Sequence, residues 1–492
     1  MDAKASSTTM AVRACAAVAL LLVNSFVLNN LLFPQFIGIN DGAREISTYS
    51  GVVFFVILGV AAYRKPSIFH EKAWSSVSFV ALGIGIVFMY LGITLRSAFL
   101  LAIGSPFGGI GTVWTTILIF ITFMKLGLAR STICIPTAFV LSYLANTILS
   151  LIAVSFVVGL ALYTLTIIIA FLLVRTYALD TIRTIRSVDS PIVLDVTNPS
   201  SYLPFSHPVF VSILLFNAAY GYALNLQVAI EAPVQVVLSY LPVTIVFVAV
   251  VIGRAKLNAD TLFQTSTLLV FAGFLTAPLA LIGSGALGGL QVSNVFLHAG
   301  ASMFTLLMYF LIAVVGSRNV LGGITTVAFA MGASWGGIGI GALLVQAVAL
   351  ITAGDVGGIL WASALITFGF VFYNFVVLKD FSFEKTIQGI VPVAASVIDP
   401  ANEQPEASPS LEDNCRMVAE RFGLTKRESE VLELLARGRT SPVIQEKLFL
   451  SHNTVKTHVR HIYTKMAIHS QQQLIDIVEH AGDLRDTQQG AK

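Results

Sequence analysis

The residues best placed to do chemistry lie in the stretch LSHNTVKTHVRHIYTKM, from Leu450 to Met466. Lys456, Arg460 and Lys465 fall at helical spacing, His452, His458 and His461 stand among them, and no acid interrupts from Lys447 to His469. Ser451 is a natural N-cap for a helix there. Val455, Val459, Ile462 and Met466, at i, i+4, i+7 and i+11, give that helix an apolar side. The opposite side is then basic, as a surface for phosphates and base edges would be. Residues 411–492 hold eleven acids against twelve bases, so the signal is the local face and not the sum.

The flanking residues supply the elements that must position this helix. Thr425 with Glu428 three residues later is a capping-box pattern, in which each side chain satisfies the other residue's free backbone N–H. Val431, Leu432, Leu434 and Leu435 follow at helical spacing, and Gly438 stops the helix. A short second helix is expected with Thr440 as N-cap, Pro442 in its first turn, and Ile444 and Leu448 facing the core. FLS makes the turn into the basic helix, and Ser470 caps a fourth helix carrying Leu474, Ile475 and Val478. Two short helices joined by a tight turn, the second one basic, form a helix-turn-helix arrangement.

The residues LTKRESEVLELLARG, followed by TVKTH with Ile462 and Lys465 behind, resemble the LuxR-type DNA-binding domain of bacterial transcription regulators. The resemblance covers roughly 65 residues. Val443 stands where the family has a capping-box Glu, Gln445 where it has a small residue, and Gln471 where it has an Arg. By position, the resemblance implies that Lys456, Thr457 and Arg460 read base edges in the major groove. It implies that Ser451, Thr454 and His458 position the helix on phosphate. It also implies a homodimer on double-stranded DNA, paired through the fourth helix. RNA polymerase is a further expected partner.

The remainder of the chain is of another kind. Across all 492 residues 56% are hydrophobic and 11% charged, with a mean hydropathy of +0.84. That composition predicts a polytopic protein of the lipid bilayer. Twelve apolar stretches are long enough to cross, near 12–33, 47–63, 76–95, 98–123, 132–151, 154–174, 208–229, 233–252, 262–283, 293–315, 324–351 and 357–378. With the N-terminus inside, inner segments hold thirteen Lys and Arg and outer ones only Arg44 and Arg96. The bias predicts an even number of spans and a cytoplasmic C-terminus. The long loop from Arg175 to His207, with Pro191, Pro199 and Pro204, divides the spans six plus six. This arrangement resembles the major facilitator fold. The loop between spans two and three, GVAAYRKPSIFHEK, lacks that family's Asp-Arg-x-Gly-Arg pattern.

The spans carry little chemistry. His298 is the clear mid-span titratable group, and Glu231 and Arg96 lie near span ends. Asn24, Asn146, Asn217, Gln227, Gln235, Gln264 and Asn374 are expected to bond between helices, and Trp114, Trp335 and Trp361 to anchor at interfaces. The glycines of GSPFGGIG and GASWGGIGIG are expected to pack helices closely. Cys15, Cys134 and Cys415 have neither metal-like spacing nor an even framework. No phosphate loop, metal cluster or nucleophile–base arrangement stands out, so no enzyme, metal or cofactor is expected.

The expected architecture is all-α: a twelve-span bundle over 1–379, with halves near 1–180 and 205–379. A flexible linker at 380–410, a four-helix module at 411–483 and a disordered tail at 484–492 follow. The expected function is a bacterial inner-membrane, one-component transcription regulator with both termini cytoplasmic, controlled by a small-molecule ligand of unidentified class. The alternative is a uniporter-like secondary transporter with an appended regulatory domain, which substrate uptake into vesicles would reveal.

Overall fold

The computed structural model describes residues 2–187, 207–229, 237–276, 286–353, 355–389, 409–439 and 441–481. Those residues hold helices and no strand. Side chains are described for fewer, so Gln227, Glu231, Gln235, Thr440, the three loop prolines, most of the linker and the 484–492 tail lie outside.

Every predicted apolar stretch contains a helix. The first half runs α1 (Asp2–Phe26), α2 (Ala43–Arg64), α3 (Glu71–Thr94), α4 (Ala98–Leu126), α5 (Leu128–Ser150) and α6 (Phe156–Ser187). The second half runs α7 (Pro208–Ala229), α8 (Leu241–Phe247, drawn out to Val237–Ile252 by 3-10 and π turns), α9 (Ala259–Thr276), α10 (Ala286–Arg318), α11 (Gly323–Ile351) and α12 (Val356–Phe372). Ten of them, counting extensions, are long and apolar enough to cross a membrane. The exceptions are α8, which is too short, and α9, whose first turns carry Asp260, Gln264 and three threonines. The stretch RTYALDTIRTIRS, expected to open the central loop, instead continues α6 to Ser187.

Burial reveals the two-half plan. The apolar windows of α4 and α10 are 89% and 83% buried, against 28–44% for α1, α2, α3, α5, α6 and α11. These two are the fourth helices of their halves, and they pack on each other at the centre. Phe120 of α4 and Phe139 of α5 meet Tyr309 of α10 edge-on, at ring-centroid distances of 4.8 and 5.8 Å. Tyr143 of α5 stacks on Tyr240, before α8, at 4.0 Å.

Close packing depends on glycine, as the sequence predicted. A Cβ on Gly337 or Gly341 of α11 would collide with the backbone of α7, at Leu214 and Tyr222. Lipid offers no hydrophobic drive between helices, so such direct approach is what holds them. The polar residues behave less uniformly. Asn24 does bond across helices, donating to Tyr163 O at 2.6 Å and Thr166 Oγ1 at 2.9 Å on α6. Asn217 and Asn374 donate instead to their own helices, and Gln264 is exposed. Trp114 departs from its expected interfacial role: it is buried, stacked on Phe69, with its indole N–H on Ser75 Oγ at 3.1 Å. Trp335 packs edge-on against Phe55, while Trp361 is exposed.

The cations gather at one end of the first half. Arg175 of α6 pairs with buried Glu71 of α3 at 2.7 Å. Arg13 lies over the Tyr177 ring, and Lys125 donates to Tyr177 O at 3.1 Å. Beyond α12 the chain does not become linker at residue 380. It forms α13 (Phe383–Gly389), fixed to the start of α9 by Asp260. That carboxylate accepts from Ser382 Oγ at 2.6 Å and from Phe383 N at 2.7 Å. Phe383 and Ile387 are buried beneath it.

Candidate nucleic-acid interface

The C-terminal module has a core of its own, built from α14 (Pro409–Arg421), α15 (Lys426–Ala436), α16 (Ser441–Leu448), α17 (His452–Met466) and α18 (Gln471–His480). Four helices were expected and a fifth, α14, precedes them. Its signal was present as Leu411, Cys415, Val418 and Phe422 at i, i+4, i+7 and i+11, ahead of the readable capping box. Leu432, Leu435, Ile444, Val455, Val459 and Ile462 are buried, and Leu448 is half-buried against them.

The basic helix α17 is fixed at both ends. Ser451 accepts from Thr454 N at 3.2 Å, closing the N-terminus. Ala467, with φ of 54°, ends it in the left-handed region, and Ile468 N reaches back to Tyr463 O. Across the turn, Phe449 also takes a positive φ of 53° and is 95% exposed. Leu450 N bonds to Gln445 O, which sets the angle between α16 and α17. Gln445, in place of a small residue, donates to Ser441 Oγ at 2.9 Å and so stays within α16.

Of the six predicted DNA-facing residues, Lys456, Thr457, Arg460 and Ser451 are exposed, and Thr454 and His458 are half-buried. Buried Val455 and Val459 alternate with them on the same helix, so the exposed side points away from the core. Thr457 Oγ1 bonds to Asn453 O, and Ser451 Oγ lies 2.7 Å from Thr454 Oγ1.

Lys465 does not join that face. Its ammonium donates to Glu428 Oε2 at 2.7 Å and to Gly423 O at 3.0 Å, tying α17 to the start of α15. Glu428 is buried and also accepts from Thr425 N at 2.7 Å, completing the capping box. Burial pushes this carboxyl up. The Lys465 bond, the two Thr425 bonds and the Lys465 charge outweigh that and bring it down to about 2. His461 Nδ1 stands 3.6 Å from the same carboxylate. Spacing alone placed Lys465 among the cations; the buried acid facing it, 37 residues earlier, was not visible in a linear reading.

Gln471 stands where an Arg was expected and is buried. Its side-chain amide donates to Leu435 O at 2.9 Å, in the last turn of α15, and to Arg439 O at 3.3 Å, just past it. A neutral donor therefore closes that helix.

Residues 423–478 match the family model described as bacterial regulatory proteins, luxR family. The oxygen regulatory protein NreC of Staphylococcus aureus strain JH9 is 45% identical over 53 residues, which are 11% of this chain and 24% of that protein. The NreC of strain JH1 matches to the same extent. The chain thus spans about a quarter of the length of these curated relatives. Among solved structures, the chain is similar to a bacterial homologue of the iron transporter ferroportin, with TM-score 0.49 and 16% identity. That match covers 76% of this chain and 98% of the other. It is also similar to the proton:xylose symporter XylE, with TM-score 0.45, 12% identity, and coverage of 77% and 98%. At these scores and identities nothing about substrate or transport passes to this chain. The chain carries a LuxR-type helix-turn-helix module for double-stranded DNA on a polytopic helical membrane bundle.

Proposed function

We propose that this chain is a membrane-embedded, one-component transcription regulator. The module reads DNA, and a small molecule bound in the bundle sets how well it does so. The observation that carries the reading is the exposed pair Lys456 and Arg460, one turn apart on a capped helix whose other side is core. Each can address guanine O6 and N7, a contact worth about 1–3 kcal/mol of discrimination. Two modules pair through α18 on an inverted repeat, and bound dimers meet RNA polymerase. The protein does no catalysis of its own.

The bundle lies in the bacterial cytoplasmic membrane with both termini inside. The gathering of Arg13, Lys125 and Arg175 at one end supports that orientation. The ligand is held at the opposite end, where α2, α7 and α10 converge. There Arg44 donates to Asn225 Oδ1 at 2.7 Å and pairs with Glu45 at 3.1 Å, and Tyr220 O–H meets His298 Nδ1 at 3.0 Å. Glu45 Oε2 and His298 Nε2 are buried and make no hydrogen bond among the described residues. Buried polar atoms of this kind favour a ligand with complementary polar groups. A ligand preferring one arrangement of α2 against α7 shifts the bundle's population. The shift reaches the module through α13, seated on α9 by Asp260.

Chromatin precipitation of the intact protein tests this. Discrete genomic peaks are expected, and the K456A/R460A variant should lose them while staying in the membrane. Peaks that persist in the variant would remove the recognition role.

A further inference from the structure

Cysteines with no pattern in the sequence meet in the fold. Cys15 lies on α1 and Cys134 on α5, 119 residues apart. Cys15 Sγ donates to Cys134 O at 3.4 Å, and Cys134 Sγ donates to Ala11 O at 3.7 Å, one turn before Cys15. Each thiol thus sits against the backbone of the other's helix. Cys15 is buried, and Cys134 is half-buried at the bundle surface, one turn from Arg130. Cys415, the third cysteine, is buried in the core of the separate module.

We infer that Cys15 and Cys134 form a redox-active dithiol that an organic hydroperoxide converts to a disulfide, stapling α1 to α5. The more exposed Cys134 reacts first. Its sulfur attacks the peroxide, the O–O bond breaks, and Cys134 sulfenic acid and an alcohol form. The Cys15 sulfur then attacks the sulfenic sulfur; the S–O bond breaks, the S–S bond forms, and water leaves with the thiol proton. Two electrons pass from the thiols to the peroxide. Helix spacing favours the step because both sulfurs already lie at the α1–α5 contact, so little backbone movement is needed. Disulfides in reducing compartments are typically transient and redox-sensing, which suits a pair near the inner end of a membrane bundle. The site does not depend on the ligand or DNA roles above.

Full-length protein in native membranes is treated with cumene hydroperoxide, quenched in acid, denatured and labelled with a maleimide polymer. Untreated protein should take three labels, one per cysteine. Treated protein should take one, on Cys415, and dithiothreitol should restore three. C134S should take two labels before and after treatment, whereas in C15S the Cys134 sulfenic acid meets no resolving thiol, so treatment should leave one maleimide label and a Cys134 that dimedone captures. Mass spectrometry of wild-type digests should find the peptides of Cys15 and Cys134 linked, a readout that needs no variant. Three labels persisting after treatment would overturn the proposal. So would loss of a label from C134S, failure of dithiothreitol to restore labelling, or a Cys15–Cys134 link between two chains instead of within one.

Discussion

The bundle and the module are both all-helical, yet they are held together by different means. In the bundle, α11 lies against α7 because Gly337 and Gly341 carry no side chain, and aromatic rings from α4, α5 and α10 fill the centre. Its hydroxyls and amides mostly bond within their own helices, as Asn217 and Asn374 do. In the module, helices are joined by named polar bonds: Glu428 to Lys465 and Thr425, and Gln471 to Leu435 O. The difference follows from solvent. Water makes apolar burial favourable and keeps one partner of a tie solvated, as Lys465 is beside buried Glu428, so the module can use ion pairs as ties. Lipid does neither, so the bundle relies on close contact. One consequence is that perturbations of charge should strike the module, and perturbations of volume the bundle.

The sharpest way to break this contrast is at the recognition helix. K456A/R460A should weaken binding to a target sequence by at least about thirty-fold, from two contacts of about 1–3 kcal/mol each. Fluorescence anisotropy on full-length protein in nanodiscs measures it, and the bundle's melting should not move. Next in size is the buried acid. E428Q should cost the module about 2–3 kcal/mol at neutral pH, read by denaturant unfolding of residues 409–481, which hold their own core. Its pH dependence has a definite sign. Glu428 is held at about 2 in the folded module, below its ordinary 4.5. The stabilisation is therefore full above about pH 4.5 and drains away as pH falls toward 2, and E428Q should flatten that slope. Comparable or smaller is G341L, which forces a side chain into the α7 backbone. It should destabilise the bundle by about 1–3 kcal/mol, seen as a lower melting temperature in detergent, with module unfolding unchanged. The smallest effect should come from D260N, which weakens the acceptor beneath α13. Stability should barely change, within about 1 kcal/mol, while proteolysis between α13 and α14 becomes faster.

The two regions were also unequally legible. Residues 425–478 announced their helices through caps, stop glycine and apolar spacing, because those signals are local. Positions such as Val455 and Val459 could be assigned to the core directly from spacing. The Lys465–Glu428 tie was missed because it joins residues 37 apart, and α14 because it precedes the first strong cap. In the bundle, hydropathy located α1 to α12 but not what faces what. Uniform apolarity erases the 3.6-residue contrast that distinguishes a buried side from an exposed one. Hence Trp114 read as an interfacial anchor though it is core, and the Cys15–Cys134 meeting was invisible. The segment after residue 380 read as linker because its anchor, Asp260, lies more than a hundred residues earlier.

The proposed function requires that the bundle control the module. The direct measurement pairs two readouts on full-length protein in nanodiscs. A compound library is screened for compounds that raise the bundle's melting temperature, and DNA affinity is then measured with and without each hit. A stabilising compound should shift DNA affinity several-fold, and R44A should remove both effects together. Compounds that stabilise the bundle through Arg44 while DNA affinity stays constant would contradict it.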